Sequence, residues 1–234
     1  MDLPFIITAL KAGARYIPVS LFIAGSALLI GILVGLGIAL IRFFKVPILA
    51  EVSRWFITLL KGIPLVLVLL VIYILSTDAV DFLAEHFNLP FRFKDLGTVW
   101  LAILGLSIYS SIALAESFRG AFLAIDQGQF DAAAAIGMTR WQTMYRIILP
   151  QAFVTVMPTS ITMLVGLVKG TALASMVDVV DILQGAQIAG SLRNLFLESY
   201  IAAAIIYWII NALIELAGGQ LERRLQNRRG RVSI

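Results

Sequence analysis

Long apolar runs constrain this chain more than any other feature of its sequence. Stretches of about twenty residues, the length that crosses the hydrocarbon core of a bilayer as a helix, recur along its 234 residues. Hydrophobic residues make up 60% of the chain and charged residues only 14%, whereas an ordinary soluble domain is about a quarter charged. A chain of this composition cannot hide its apolar surface in water. We therefore predict an all-α polytopic membrane protein.

The distribution of hydrophobic residues predicts five membrane-spanning helices, which make 17–221 one transmembrane domain. The first span contains several glycines, and pairs four residues apart, such as Gly31 and Gly35, allow close contact between helices in lipid. The stretch 76–97 is too polar for lipid and is predicted to be an external loop. The predicted spans are residues 17–41, 55–75, 98–122, 153–177 and 197–216.

Basic residues near the ends of the spans predict the orientation. With the N-terminus outside, 12 of the 18 Lys and Arg residues fall on the cytoplasmic side, as the positive-inside rule requires. Residues 1–16 offer no small-residue cleavage site after a short apolar core. We predict that they form a retained interfacial segment, and that residues 222–234 form a basic cytoplasmic tail.

Nothing in the sequence has the pattern of an enzyme or of a metal site. The chain contains no cysteine and a single histidine, His86, so it lacks the ligand cluster that a metal site requires. No nucleophile with a base and no convergent carboxylates stand at catalytic spacing. The phosphate loop of an ATPase, G-x4-G-K-[ST], is absent, and the basic residues do not form the single polar stripe that binds nucleic acid. We predict no enzymatic activity, no catalytic residue, no metal site and no cofactor bound by this chain.

The polar stretch 126–150, between the third and fourth predicted spans, begins with a short helix. Alanine is the best helix former, so residues 131–136 are predicted to be helical, with Asp131 favoured in the first turn by the helix dipole. Gly137 is expected to end this helix in the left-handed conformation that helix C-termini often use.

A second short helix is predicted to follow at once. Thr139 and Gln142 have the spacing of a capping box, and the helix is expected to end at residue 149, before Pro150. From this pattern alone, two interpretations stay open. The segment is either an ordinary cytoplasmic helical loop or a rigid lever that passes motion from a soluble motor to the membrane helices.

Residues of this stretch also stand at a characteristic spacing: Asp131, Ala132, Ala133, Gly137, Ile147, Leu149 and Pro150. They match the EAA motif of ABC importer permeases, E-A-A-x3-G-x9-I-x-L-P, with aspartate in place of glutamate. Other segments resemble the polar amino acid permeases of that family in particular: 61–65, 115–120, Gln129, 149–152 and 169–173. In the last of these, Gly170 and Ala172 replace residues that are often polar in the family.

This resemblance implies a type I ABC importer permease fold, with five transmembrane helices and a cytoplasmic coupling helix, in a bacterial cell membrane. It implies a dimer with a second permease subunit, identical or related, and ABC ATPase subunits that bind the ATP. It also implies an extracytoplasmic solute-binding protein and a small polar amino acid as cargo. The motif residues together with Gln129 would couple the permease to the ATPase.

Two alternatives stay open beside that expectation. The nearer one keeps the class but changes the cargo to another small polar or cationic solute. The other is a self-contained channel or secondary carrier, which often shows an internal repeat, and the sequence shows none.

Two ionisable residues fall inside the predicted spans, where a charge costs about 2.5–3.5 kcal/mol on insertion scales. Glu116 stands three residues before Arg119, so a structural ion pair and a place in the pathway are both open. Lys169 has no opposite charge nearby in sequence and is predicted to line the pathway, with the hydroxyl of Thr171 beside it. Glu116 and Lys169 together would complement a zwitterionic amino acid.

Overall fold

The computed structural model of the protein describes residues 2–95, 97–191 and 193–230, and side chains as far as residue 224. Residues 1, 96, 192 and 231–234, the last of which end the predicted basic tail, lie outside the described residues. Within the described part the chain is helical and has no strand. Its α-helices are α1 Leu3–Ala14, α2 Ile17–Phe43, α3 Leu49–Lys61, α4 Leu65–His86, α5 Val99–Leu123, α6 Gln127–Ala135, α7 Arg140–Thr143, α8 Leu149–Gly170, α9 Ile182–Ser191 and α10 Phe196–Gly230.

Among the described residues, five helical segments are long and apolar enough to cross a membrane, which confirms the predicted fold class. They are Ile17–Phe43, Leu65–His86, Val99–Leu123, Arg140–Val177 and Phe196–Arg224. Successive crossings place α1, the loop before α5 and α9 on one face of the membrane. The turn after α2 and the short helices α6 and α7 lie on the other face.

The predicted second span, 55–75, is wrong at its start. The helix breaks inside it, because α3 ends at Lys61 and α4 begins at Leu65. Pro64 has no backbone N–H to continue the helical ladder, and it disfavours helical backbone at the residue before it. The residues before the break form a separate amphipathic helix, of which Ile57 is the buried residue.

The same span is also wrong at its end, because α4 continues to His86 through half of the stretch predicted as an external loop. Charged side chains do not end a helix where it leaves the bilayer, since they reach water there. Asp81 accepts a hydrogen bond from the N–H of Phe93 at 2.8 Å. This bond ties the shortened loop back onto α4.

The predicted helix end at Pro150 and the predicted start of the fourth span at residue 153 are both wrong. A π-helical turn, Met144–Ile148, leads into α8 without a break. In a regular α-helix the ring of Pro150 would collide with the carbonyl four residues back. The wider turn, in which the N–H of Leu149 bonds to the carbonyl of Met144, relieves that collision. Segment 126–150 and the fourth span are therefore one continuous structure.

The last helix is longer than predicted. α10 runs from Phe196 to Gly230, past the predicted span end at 216 and past the predicted domain boundary at 221. The residues beyond 221 are mostly Glu, Arg, Leu and Gln, which are good helix formers. A helix of that composition leaves the bilayer without ending.

The bundle is held together most closely by α2 and α5. A Cβ on Gly35 would lie 2.9 Å from the backbone nitrogen of Ala115, and one on Gly31 would overlap the hydroxyl of Ser110. That hydroxyl donates a hydrogen bond across the interface to the carbonyl of Ala27 at 2.8 Å. The predicted close contact of glycines in the first span is confirmed for these two positions.

Candidate functional site

Segment 126–150 begins with a capped helix. The side chain of Asp126 accepts a hydrogen bond from the N–H of Gly128 at 2.8 Å, so α6 starts at Gln127 rather than at Asp131. The capping aspartate is a local signal that would have located this start. At the other end, Gly137 has a φ of +78°, which confirms the left-handed helix end predicted for it.

The second helix of the segment begins as predicted. The N–H of Thr139 donates to Oε1 of Gln142 at 2.8 Å, and the N–H of Gln142 donates to Oγ1 of Thr139 at 3.2 Å. These reciprocal bonds confirm the capping box and fix the direction in which α7 leaves the glycine turn.

The motif residues divide into an exposed group and an anchored group. Gln129, Asp131 and Ala132 are exposed on α6, whereas Ala133 is buried. At the far end of the segment, Pro150 is exposed, while two apolar motif residues pack on the buried cluster around Phe118 and Met144: Ile147 and Leu149. The segment therefore leaves several motif side chains accessible while others fix it to the bundle.

Aromatic rings hold this segment against the end of α2, and we call them the aromatic brace: Phe43, Phe44, Phe122, Phe130 and Trp141. Phe43 stacks on Phe130 with centroids 6.1 Å apart and meets Phe122 edge-on at 5.5 Å. Phe44 contacts Trp141 at 5.5 Å. Such pairs each contribute about 0.5–1.5 kcal/mol beyond their buried area. The brace therefore sets the orientation of α6 and α7 relative to α2 and α5.

Glu116 lies between two arginines. It forms ion pairs with Arg42 at the end of α2 and, at 3.0 Å, with Arg119 on its own helix. The side chains of Arg42 and Glu116 are 15% and 24% exposed, so the pair is largely shielded. Of the two interpretations left open, this geometry favours the structural ion pair. Arg42 is 74 residues away in the chain, and no local pattern could have identified it as a partner.

Lys169 lines a cleft of about 430 Å³ between α8 and α10. Its side chain is exposed, and within the described chain it has no ion-pair partner. The acidic residue of the same cleft is Glu215, not Glu116. The structure therefore does not bring Glu116 and Lys169 together as complements of one zwitterion.

The α10 wall of this cleft was missed by the sequence analysis. It is formed by small, aromatic and polar residues at helical spacing: Ala204, Tyr207, Trp208, Asn211, Ala212 and Glu215. A stripe of this kind on an otherwise apolar span is a signal that would have found it. Asn211 is buried, and its Oδ1 has no hydrogen-bond partner among the described residues.

Thr171 lies behind the cleft rather than in it. It is fully buried, and its hydroxyl donates to the carbonyl of Val168 at 2.8 Å. The same hydroxyl oxygen is 3.4 Å from the hydroxyl of Tyr207, which in turn donates to the buried carboxylate of Asp181. The structure thus does not support Thr171 as a residue that meets the cargo, and it adds Asp181, which the sequence analysis did not single out.

A multi-pass helical protein whose polar side chains line a cleft between two spans, with a braced helical segment on one face, has the architecture of a membrane permease. The chain matches, over residues 27–227, the family described as binding-protein-dependent transport system inner membrane component. It belongs to that family. It is therefore a multi-pass cell membrane protein, the permease of an ABC importer, and not an enzyme.

Individual relatives are similar over most of the chain. The probable amino-acid permease protein YxeN of Bacillus subtilis is 32% identical over 228 residues, which are 96% of each chain. The L-cystine transport system permease protein TcyB of the same species is 34% identical over 83% of this chain and 78% of its own. The crystal structure of an amino acid ABC transporter with histidines matches with a TM-score of 0.80 at 26% identity, covering 96% of this chain and 99% of that one. The resemblance to ABC importer permeases inferred from the motif is confirmed.

Proposed function

We propose that this permease forms the translocation pathway for a polar amino acid and couples it, through segment 126–150, to a separate ATPase that binds ATP. The observation that carries the proposal is that this segment is anchored to the bundle yet leaves part of its motif exposed. Gln129, Asp131 and Ala132 are exposed on a helix that the aromatic brace fixes to the bundle. A partner that pushes on this helix moves the membrane helices rather than a loose loop.

The remaining partners follow from the membership of the family. Its description names a binding-protein-dependent transport system, which supports an extracytoplasmic solute-binding protein above the pathway. A second permease subunit, identical or related, would complete the pathway and the lipid-facing surface. α4 supports this, since only 6% of its apolar span is buried inside the chain, which leaves a large surface for a partner or lipid.

The cargo is proposed to be a zwitterionic amino acid because of the charges in the cleft. Lys169 and Glu215 lie on opposite walls of it, and a zwitterion needs one cationic and one anionic complement. The relatives named for amino acids support this assignment. The second candidate cargo is another small polar or cationic solute. It is favoured by the carboxylate of Glu215 and by Oδ1 of Asn211, an acceptor without a partner among the described residues.

ATP-dependent uptake of labelled amino acids into liposomes tests this function. The permease is reconstituted with its ATPase and its solute-binding protein. We expect Lys169→Met, which keeps most of the side-chain length, to lower uptake about ten- to a hundredfold, the loss that follows when one charge-assisted hydrogen bond is removed.

A matched control is Lys94→Met, which removes an exposed lysine from the loop before α5 and should leave uptake unchanged. Wild-type uptake by the Lys169→Met protein would show that Lys169 takes no part in the translocation pathway. Absence of ATP-dependent amino acid uptake by the unsubstituted permease would contradict the proposed function itself.

The orientation, N-terminus outside and C-terminus cytoplasmic, is proposed from the 12 cytoplasmic basic residues. A green fluorescent protein fused after Ile234 is expected to fluoresce, because it folds in the cytoplasm. Alkaline phosphatase inserted after Pro90, in the loop before α5, is expected to be active because it is exported. The reverse result at both sites would show that the topology is inverted.

A further inference from the structure

A buried carboxylate connects α9 to α10. Asp181 is 0% exposed and directly precedes α9. Its Oδ1 accepts a hydrogen bond from the N–H of Gln184 at 2.9 Å, and its Oδ2 accepts one from the hydroxyl of Tyr207 at 2.5 Å. A carboxylate is tolerated in an apolar bundle only when donors satisfy it. The first bond caps α9, and the second fixes the position of the Tyr207 side chain.

Tyr207 belongs both to this buried network and to the polar cleft. Its hydroxyl donates to Asp181, and the residue also lines the cleft together with Lys169 and Glu215. The ring cannot turn away from the cleft without breaking the bond to Asp181. Asp181 itself does not line the cleft, so any effect that it has on the cargo must act through Tyr207.

The other end of the network packs closely against the first span. A Cβ on Gly185 of α9 would overlap the ring of Tyr16, so α9 lies directly against the start of the first span. The N–H of Ile182 is 3.4 Å from the hydroxyl oxygen of Ser20 on α2. α9 lies on the membrane face opposite segment 126–150. Asp181 therefore links the cleft wall to a part of the protein that is anchored on the far side.

We propose that Asp181 is a positioning residue for transport, which holds the ring of Tyr207 in place as a wall of the cleft that receives the polar head of the cargo. This inference rests on the proposed function, because it assigns a role to the same cleft. It predicts that what matters is the hydrogen bond between the two side chains rather than the negative charge.

Three substitutions distinguish the hydrogen bond between Asp181 and Tyr207 from two other properties of Asp181, its capping of α9 and its negative charge. Asp181→Asn keeps an oxygen for the N–H of Gln184 and an amide that donates to the hydroxyl of Tyr207. Asp181→Ser still caps α9, because serine is a good N-cap, but it is too short to reach Tyr207. Tyr207→Phe keeps the ring and removes the hydroxyl alone.

The expected result is a change in KM for cargo uptake. Asp181→Ser and Tyr207→Phe should each raise it about three- to tenfold, less than the full value of a hydrogen bond to a carboxylate, because the cargo meets Tyr207 and not the bond itself. The maximal rate and the amount of protein in the membrane should stay unchanged. The double variant should be no worse than either single one, because both remove the same bond. Asp181→Asn should keep the wild-type KM.

A second measurement does not depend on transport. The chain contains no cysteine, so Ala212→Cys, in the cleft wall, provides a unique thiol for a methanethiosulfonate reagent. Adding Tyr207→Phe or Asp181→Ser should change its labelling rate several-fold, whereas adding Asp181→Asn should not.

The two readouts keep the two proposals apart. Unchanged labelling rates, a wild-type KM in both single variants, additive effects, or loss of the variants from the membrane would each overturn the positioning role. Changed labelling in a permease that takes up no amino acid would instead overturn the proposed cargo and leave the positioning role standing.

Discussion

Replacing Gly137 with valine is expected to abolish coupled transport while leaving the membrane bundle intact. The residue has a φ of +78°, where an L-residue pays about 1–2 kcal/mol and a β-branched one more. No neighbouring atom lies within 4 Å of a Cβ built there, so the penalty comes from the backbone alone. The turn between α6 and α7 is expected to relax to another angle, so that the exposed motif residues of α6 no longer meet the ATPase as the proposed coupling requires.

The measurements are co-purification of the ATPase with the variant, uptake into liposomes, and ATP hydrolysis stimulated by the binding protein. We expect the ATPase either to dissociate or to hydrolyse ATP without uptake. Gly137→Asn is the matched control, because asparagine tolerates the left-handed conformation, and it should retain most of the transport. If the valine variant keeps its ATPase, its stimulation and its uptake, segment 126–150 is not the coupling element.

Gly35→Val is expected to separate α2 from α5 and to destabilise the whole bundle. The added side chain meets backbone, the nitrogen of Ala115 at 2.9 Å and the carbonyl oxygen of Ser111 at 3.0 Å, and backbone cannot turn aside as a flexible side chain can. Overpacking of this kind costs about 1–3 kcal/mol. The midpoint of thermal unfolding in detergent should fall accordingly, and the protein should aggregate at a lower temperature.

The same helix provides the control. Gly37 lies two residues further on, and no atom lies within 4 Å of a Cβ built there. Gly37→Val therefore makes the same chemical change on the same span without the clash, and its unfolding midpoint should match that of the unsubstituted protein. Equal midpoints for the two valine variants would show that α2 and α5 are not held together by this close contact.

What could be predicted from the sequence depended on signals that lie within a few residues of each other. Gly137 and the capping box of Thr139 and Gln142 were predicted correctly, because a left-handed turn and a pair of side-chain caps are specified locally. The number of spans was predicted correctly, because it needs only their apolar composition. The motif spacing located segment 126–150 for the same reason.

The failures come from competition between local signals and from contacts over long distances in the chain. Pro64 ends a helix and Pro150 does not, because a π-helical turn relieves the collision only at the second one. The charged end of α4 was assigned to a loop because polarity was taken as a sign of irregular structure. The pairs of Arg42 with Glu116 and of Asp181 with Tyr207 join distant parts of the chain, so no local spacing in the sequence predicts them.

The continuity of the helix through Pro150 has a mechanical consequence. From the π-helical turn at Met144–Ile148 to Lys169 the rod is about 30 Å long at 1.5 Å per residue. Tilting it by about 10° at that turn sweeps its far end sideways by about 5 Å, which is one helical pitch. Under the proposed coupling, the displacement that reaches the cleft depends on how stiff this rod is. Pro158 inside α8 removes one hydrogen bond from the helical ladder, so a bend of the rod under load is expected there first.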